Sequence, residues 1–250
     1  MKTLNIAQIS DYITNNVDSQ FHDRKIAKLR ELKFDHVIRR KNPYLFRAKG
    51  SNNASELIKS VLDATVSSGE ETTFGNFLEN IAIYVCGLAL DGRKSGILGI
   101  DLEFEQEQCK FLISIKSGPN WGNSSQQRNL ITHFNAAKKT LSTSGGLTGK
   151  SITCVEGCCY GIDNVPNKGT HLKLCGQRFW QLISGGSDSI YCDIIEPLGN
   201  NAKIRSEQLD LIYTEKLNLF TAAFVDQFCD NGIINWHRLL KYNSGLESGK

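Results

Sequence analysis

The chain has 250 residues and a formal net charge of +3, so it can form one large α/β domain with a helical extension, with little room for two independent cores. With 40% hydrophobic residues, only four prolines and no low-complexity tract or internal repeat, wholesale disorder is excluded. The charge is too small to argue for a polyanionic partner by itself.

The amino-terminal residues MKTLNIAQISDYITNN lack the apolar core of a signal peptide, and no stretch reaches eighteen consecutive apolar residues. A cytoplasmic protein with no membrane partner is the expectation. Cys86, Cys109, Cys154, Cys158, Cys159, Cys175, Cys192 and Cys229 are then expected to be reduced. Residues 7–18 and 21–34 carry apolar positions at helical spacing: Ile9, Ile13 and Val17, then Ile26, Leu29 and Leu32. Between Arg24 and Lys49 there are ten Lys or Arg residues, either a solvated helix face or a surface for a polyanion. Asn42 before Pro43 predicts extended chain across 41–49. Ser55 reads as the cap of a helix to about Val66. A Ser-Ser-Gly-Glu-Glu loop follows, and Thr73 caps a second helix from Phe74 to about Leu88.

Residues 97–117 read as a hairpin: a strand from Ile97 to Phe104, a polar turn at 105–108, and a return strand from Cys109 to Ser117. A Gly/Asn-rich loop, Ser117 to Asn123, feeds a helix that Ser124 or Ser125 caps and that runs to about Leu141. Residues 151–162 and 188–196 read as strands with a helix at 177–183 between them. Helices are expected at Glu207–Cys229 and at 234–240. The order predicts an α/β core with an amino-terminal helical part, treated as a single domain with 1–70 helical and basic, 71–200 as core and 201–250 as carboxy-terminal helices. The apolar helix at 207–229 serves either the core or a subunit interface.

The chemistry concentrates in the hairpin. Asp101 lies within a strand, an unusual place for an acid, and Glu103 shares its face. On the return strand Ser114 and Lys116 again share a face, so folding the hairpin can gather acids, a hydroxyl and an ammonium. Phosphodiester cleavage needs such a set: carboxylates for a hard divalent cation and a cation near the attacked phosphate. A solvated amphipathic face is the plain alternative. The loop after Lys116 adds Gly118, Asn120, Trp121, Gly122 and Asn123 at a helix amino terminus, a natural seat for phosphate oxygens.

Asp101 followed by Ser114-x-Lys116 resembles the PD-(D/E)XK nuclease core. Residues 41–49, Phe74-Gly-Asn-Phe-Leu-Glu79, Gly99–Phe104 and the run from Ser114 to Gln126 resemble the PmeII-like type II restriction endonucleases. Gly157–Gly161 and Cys175–Trp180 extend the likeness over nearly the whole chain. The resemblance implies a restriction-endonuclease-like fold, a central mixed sheet flanked by helices. It also implies Mg2+-dependent cleavage of both strands of double-stranded DNA at a short palindromic site, leaving 5′-phosphates. It further implies a homodimer and a cognate DNA methyltransferase in the same system.

One departure matters: Ser114 stands where the pattern has a carboxylate, so a second acid must come from elsewhere. Glu103, by strand parity, and Glu79, an acid on the apolar helix 74–88, are the candidates, with Asp101 and Lys116 as the fixed members. Arg47 and Lys49 are expected at a DNA groove or the backbone and Arg39 and Arg40 at phosphates, with Asn120, Trp121, Asn123, Ser124 and Gln126 as further DNA-binding residues. Cys154, Cys158, Cys159 and Cys175 read as buried thiols, with structural zinc the alternative. A repair or junction nuclease, or an inactive DNA-binding module prompted by Ser114, remain as other readings.

Overall fold

The computed structural model describes residues 4–143 and 149–245. In chain order the helices begin with α1 (Ile6–Val17), a π-helical turn at Asp18–His22, α2 (Asp23–Glu31), α3 (Phe34–Arg39), α4 (Pro43–Ala48) and the long α5 (Ala54–Leu90). A sheet region follows: β1 (Arg93–Lys94), β2 (Leu102–Gln106), β3 (Cys109–Lys116), α6 (Ser124–Thr143), β4 (Ser151–Cys158) and β5 (Leu172–Cys175). The remainder is α7 (Gln177–Ile183), α8 (Ile190–Asp193), α9 (Ile195–Leu198), α10 (Ala202–Phe228), β6 (Cys229–Asp230), β7 (Ile233–Ile234) and α11 (Trp236–Ser244). Two compact units result, one of Met1–Val17 with Phe74–Asn200 and the other of Asp18–Thr73 with Asn201–Lys250.

The first unit is built on a five-stranded mixed sheet in the order β1-β2-β3-β4-β5. β1, β2 and β3 pair antiparallel, while β3–β4 and β4–β5 are parallel, with α6 as the crossover between β3 and β4. One face of the sheet meets α6: Leu130, Phe134 and Ala137, spaced by helical turns, pack on Ile100, Leu112 and Cys154. On β2 and β3, Phe104 and Phe111 are cross-strand partners, stacked at 4.7 Å. At Gly157 on β4 a Cβ would lie 2.3 Å from the ring of the fully buried Phe179, so α7 packs directly on bare backbone. Gly157→Ala is therefore expected to cost about 1–3 kcal/mol, read as a lowered urea midpoint with the slope unchanged.

The second unit is mainly helical, with the short β6–β7 pair. Leu57, Ile58, Val61 and Leu62 of α5 pack with Val37, Ile38, Phe46, and Phe220, Phe224 and Phe228 of α10. The three phenylalanines recur every four residues, one stripe of the helix. α10 thus serves the core at Phe220 and Phe224, while Leu211 and Leu219 are exposed. α5 is long and apolar enough to cross a membrane by length and composition. The recurrence of its fully buried positions (Ile58, Leu62, Ile81, Val85) at intervals of four accounts for that apolarity as core packing.

Several local expectations are corrected. The Ser-Ser-Gly-Glu-Glu stretch is not a loop: α5 runs through it. Thr72 and Thr73 donate to the carbonyls of Ser68 and Gly69, one turn back, so they close helical turns instead of capping a new helix. Residues 41–49 are not extended beyond Asn42. Asn42 itself is extended, as a residue before proline must be, but Pro43 sits in the first turn of α4 and the Asn42 side chain caps it by accepting from the Tyr44 and Leu45 N–H groups. Residues 188–196 form α8 and α9 instead of a strand, with Ile190 and Ile194 buried at a spacing of four. β2 starts at Leu102, later than expected, because the chain turns at Ile97–Ile100 with the Ile100 N–H donating to the Ile97 carbonyl. The hairpin closes on a two-residue turn with Glu107 at φ 52°.

Candidate active site

The pairing of Leu102 with Ile113 continues one step beyond β2, and the Asp101 N–H donates to the Ile113 carbonyl at 2.8 Å. Asp101 therefore faces Ser114 across the ladder. Its Oδ2 accepts the Ile115 N–H at 2.7 Å and the Ser114 hydroxyl at 3.3 Å. Lys116 donates to Ser114 Oγ at 2.8 Å and to the Ile115 carbonyl at 3.0 Å, and its Nζ lies 3.9 Å from Asp101 Oδ2. Ser114 is thus a hydroxyl bridge between acid and ammonium. Both charged side chains stay partly open to solvent, Asp101 at 28% and Lys116 at 22%, so a polyanion can reach them.

Glu79 and Glu103, the two acids expected to stand in for the carboxylate missing at Ser114, have different surroundings. α5 passes the end of β3, where a Cβ on Gly75 would lie 3.6 Å from the Ser117 Cβ, and Glu79 follows one turn later. Its carboxyl is pushed above the usual range, first by burial and then by the negative charge of Asp101, while Lys94 and Lys116 pull the other way. Lys94 Nζ stands 3.4 Å from Glu79 Oε1. Glu79 is therefore electrostatically joined to Asp101 and Lys116. Glu103 is buried and occupied: Arg93 donates to Oε1 through Nε at 2.8 Å, Ser95 donates to Oε2 at 3.4 Å, and Lys110 lies 3.6 Å away. Strand parity correctly sets Glu103 on the Asp101 face, but its oxygens are committed to cations.

Among the described residues no group of three or more His, Cys, Asp or Glu side chains is gathered for a metal. Mg2+ keeps several waters and commonly takes one or two carboxylates. The hard oxygens of Asp101 and Glu79, whose like charges oppose each other, fit that requirement.

A further acid lies on this face and was not singled out from the sequence. The β3–β4 register pairs Ser114 with Glu156. Glu156 accepts from the Trp121 indole N–H at 2.6 Å and lies 3.2 Å from His171 Nε2, while Lys173 stands 2.8 Å from Oε1. Burial alone would raise this carboxyl, but the bonds from His171, Lys173 and Trp121 outweigh it and hold it down at about 2. Because the folded value lies below the usual one near 4.5, its stabilisation is complete above that pH and is lost as pH falls toward about 2. Removing it should cost about 3 kcal/mol near neutrality. Urea unfolding of Glu156→Gln across pH 3 to 7 is expected to show a flatter stability profile than the parent. The sequence signal was a lone acid inside the apolar run SITCVEGC, the same signal that marked Asp101.

The remaining candidate residues divide between the units. Asn120, Trp121, Asn123, Ser124 and Gln126 lie on the loop and first turn beside Lys116. Asn123, not Ser124 or Ser125, caps α6: its side chain accepts from the Ser125 and Gln126 N–H groups, and Gln126 Oε1 accepts the Asn123 N–H at 2.8 Å. Asn outcompetes the serines here because its side chain reaches both orphan donors while Gln126 answers from N3, a capping box. Trp121 turns inward, with Lys116 Nζ 4.8 Å from its ring centroid. Arg39, Arg40, Arg47 and Lys49 are exposed on the helical unit. Two of them pack on aromatic rings, Arg39 on Tyr242 at 4.5 Å and Arg47 on Trp236 at 5.6 Å. Cys154, Cys158, Cys159 and Cys175 are buried free thiols, and burial raises Cys154 to about 11 and Cys159 to about 12.

A mixed sheet flanked by helices, with an acid and a lysine meeting at the junction of its antiparallel and parallel halves, defines a restriction-endonuclease-like α/β protein. The family model described as Type II restriction endonuclease EcoO109I matches residues 7–206, and the chain belongs to that family. It is accordingly a type II site-specific nuclease acting on double-stranded DNA. No curated protein matches the chain.

Proposed function

We propose that the chain is a Mg2+-dependent enzyme that cuts both strands of a short palindromic DNA site and leaves 5′-phosphates and 3′-hydroxyls. The observation that carries this reading is the Asp101–Ser114–Lys116 bridge with Glu79 coupled to it electrostatically. Bound Mg2+ would neutralise charge on the scissile phosphate and lower the pKa of the attacking water. The chain's own residues do the rest. The Ile115 N–H fixes one oxygen of Asp101, and Asp101 with Glu79 would hold the cation. Ser114 and the Ile115 carbonyl orient the Lys116 ammonium, which donates hydrogen bonds to the attacking water or the charge developing on the phosphate.

One such centre per chain and a two-fold symmetric site call for a homodimer. The long loop after Lys116 supports a PmeII-like member, working in the cytoplasm beside a methyltransferase that protects the same site. Arg39, Arg40, Arg47 and Lys49, with Asn120, Asn123, Ser124 and Gln126, would contact the DNA backbone. Digestion of a phage genome in Mg2+ with end sequencing tests the proposal: discrete fragments with 5′-phosphates support it. Structure-dependent nicking would instead identify a repair nuclease, and tight binding without cleavage would identify an inactive module.

A further inference from the structure

We propose that Glu156 is a positioning residue for catalysis: through the Trp121 indole it fixes the site's lysine, Lys116, while its partner Lys173 pins the same loop. This rests on the reading of Lys116 as catalytic.

The loop from Ser117 to Asn123 follows the lysine strand directly, so a drift of the loop would carry Lys116 with it. It is held at two points. Lys173 donates to the Pro119 carbonyl at 2.8 Å, and Trp121 donates to Glu156 Oε1 at 2.6 Å. Both anchors converge on one buried ion pair, Glu156 with Lys173, with side-chain exposures of 6% and 13%. The register makes Glu156 the neighbour of Ser114 on β4, so the anchor stands on the strand adjoining the catalytic one. Gly118 completes the fit, since a Cβ there would lie 2.3 Å from the Tyr160 ring. The Trp121 ring, fixed in this way, packs 4.8 Å from the Lys116 ammonium, which itself donates to Ser114 Oγ and the Ile115 carbonyl. Glu156 is not itself placed to hold a cation: its oxygens already face Trp121, His171 and Lys173. A buried carboxylate neutralised by three donors is well suited to holding geometry in low dielectric.

The test is single-turnover cleavage of a prebound cognate duplex started with Mg2+, with affinity measured separately in Ca2+. Trp121→Phe keeps a ring but loses the indole donor. Trp121→Phe and Glu156→Gln are each expected to slow cleavage about tenfold with affinity within about twofold, and the double variant should be no slower than about tenfold. A merely structural role predicts lowered unfolding midpoints with unchanged rates, and multiplying effects in the double variant would equally overturn the proposal. Should Glu156→Gln fail to fold, Trp121→Phe and Trp121→Leu decide: Trp121→Phe slowed about tenfold with Trp121→Leu at least as slow supports anchoring, while Trp121→Phe at the parent rate overturns it. Lys116→Ala separates the two levels. If that variant is inactive and Trp121→Phe is unaffected, only the positioning role falls. If Lys116→Ala cleaves at the parent rate, the catalytic reading falls and this inference with it.

Discussion

Asp101→Ala and Lys116→Ala are each expected to lower the single-turnover cleavage rate by at least about a thousandfold, with DNA affinity in Ca2+ largely retained. The size follows from what each group does. Asp101 is the acid that accepts the Ile115 N–H and faces Lys116, and its loss also removes the partner of the Ser114 hydroxyl. Lys116 is the ammonium held by that hydroxyl, and an alanine removes the charge from that position. Neither residue is deeply buried, so the fold should survive both changes and unfolding midpoints should move little. Lys116→Arg should not rescue. A guanidinium has a different hydrogen-bond geometry and greater bulk, and cannot sit between Ser114 Oγ, the Ile115 carbonyl and the Trp121 ring as the ammonium does. Full Mg2+-dependent cleavage by either alanine variant would remove the assignment.

The alternation on β3 was legible because a strand has a period of two: Ser114 and Lys116 had to share a face, and Asp101 had to meet them once the hairpin closed. Residues further from that local period were not legible. Glu156 comes beside Ser114 only through a parallel pairing made after a twenty-residue crossover helix, and no local pattern encodes that register. Glu103 shows the converse. Its face was readable, but its partners Arg93 and Lys110 come from the strands on either side, so its engagement depended on tertiary context. The sequence of the long α5 predicts two helices because Ser-Ser-Gly-Glu-Glu has turn chemistry. The buried apolar positions before and after it hold the helix together at a local cost of about 1 kcal/mol for Gly69. Likewise the restriction that Pro43 places on Asn42 predicts extended chain, whereas capping and proline in the first turn make the same dipeptide a helix start.

The choice between the two glutamates gives the second large expected effect. Glu79→Gln should slow cleavage by about a hundredfold or more and raise the Mg2+ concentration needed for half-maximal rate, because it removes a hard anionic donor beside Asp101. Glu103→Gln should act differently. It would leave Lys110, only 10% exposed, and Arg93 facing a neutral amide, costing about 1–3 kcal/mol of stability with a nearly parental cleavage rate. A Mg2+ titration of the single-turnover rate, paired with urea unfolding, separates these outcomes. A well-folded but inactive Glu103→Gln beside an active Glu79→Gln would reverse the assignment. Glu79 is the better candidate because ionisation of its carboxyl is opposed in this structure. Burial and the Asp101 charge both oppose its ionisation, and the opposing pull of Lys94 and Lys116 leaves it above the usual range. A divalent cation between Asp101 and Glu79 would relieve that repulsion. Glu103, already neutralised by Arg93 and Lys110, has no comparable deficit for a cation to fill.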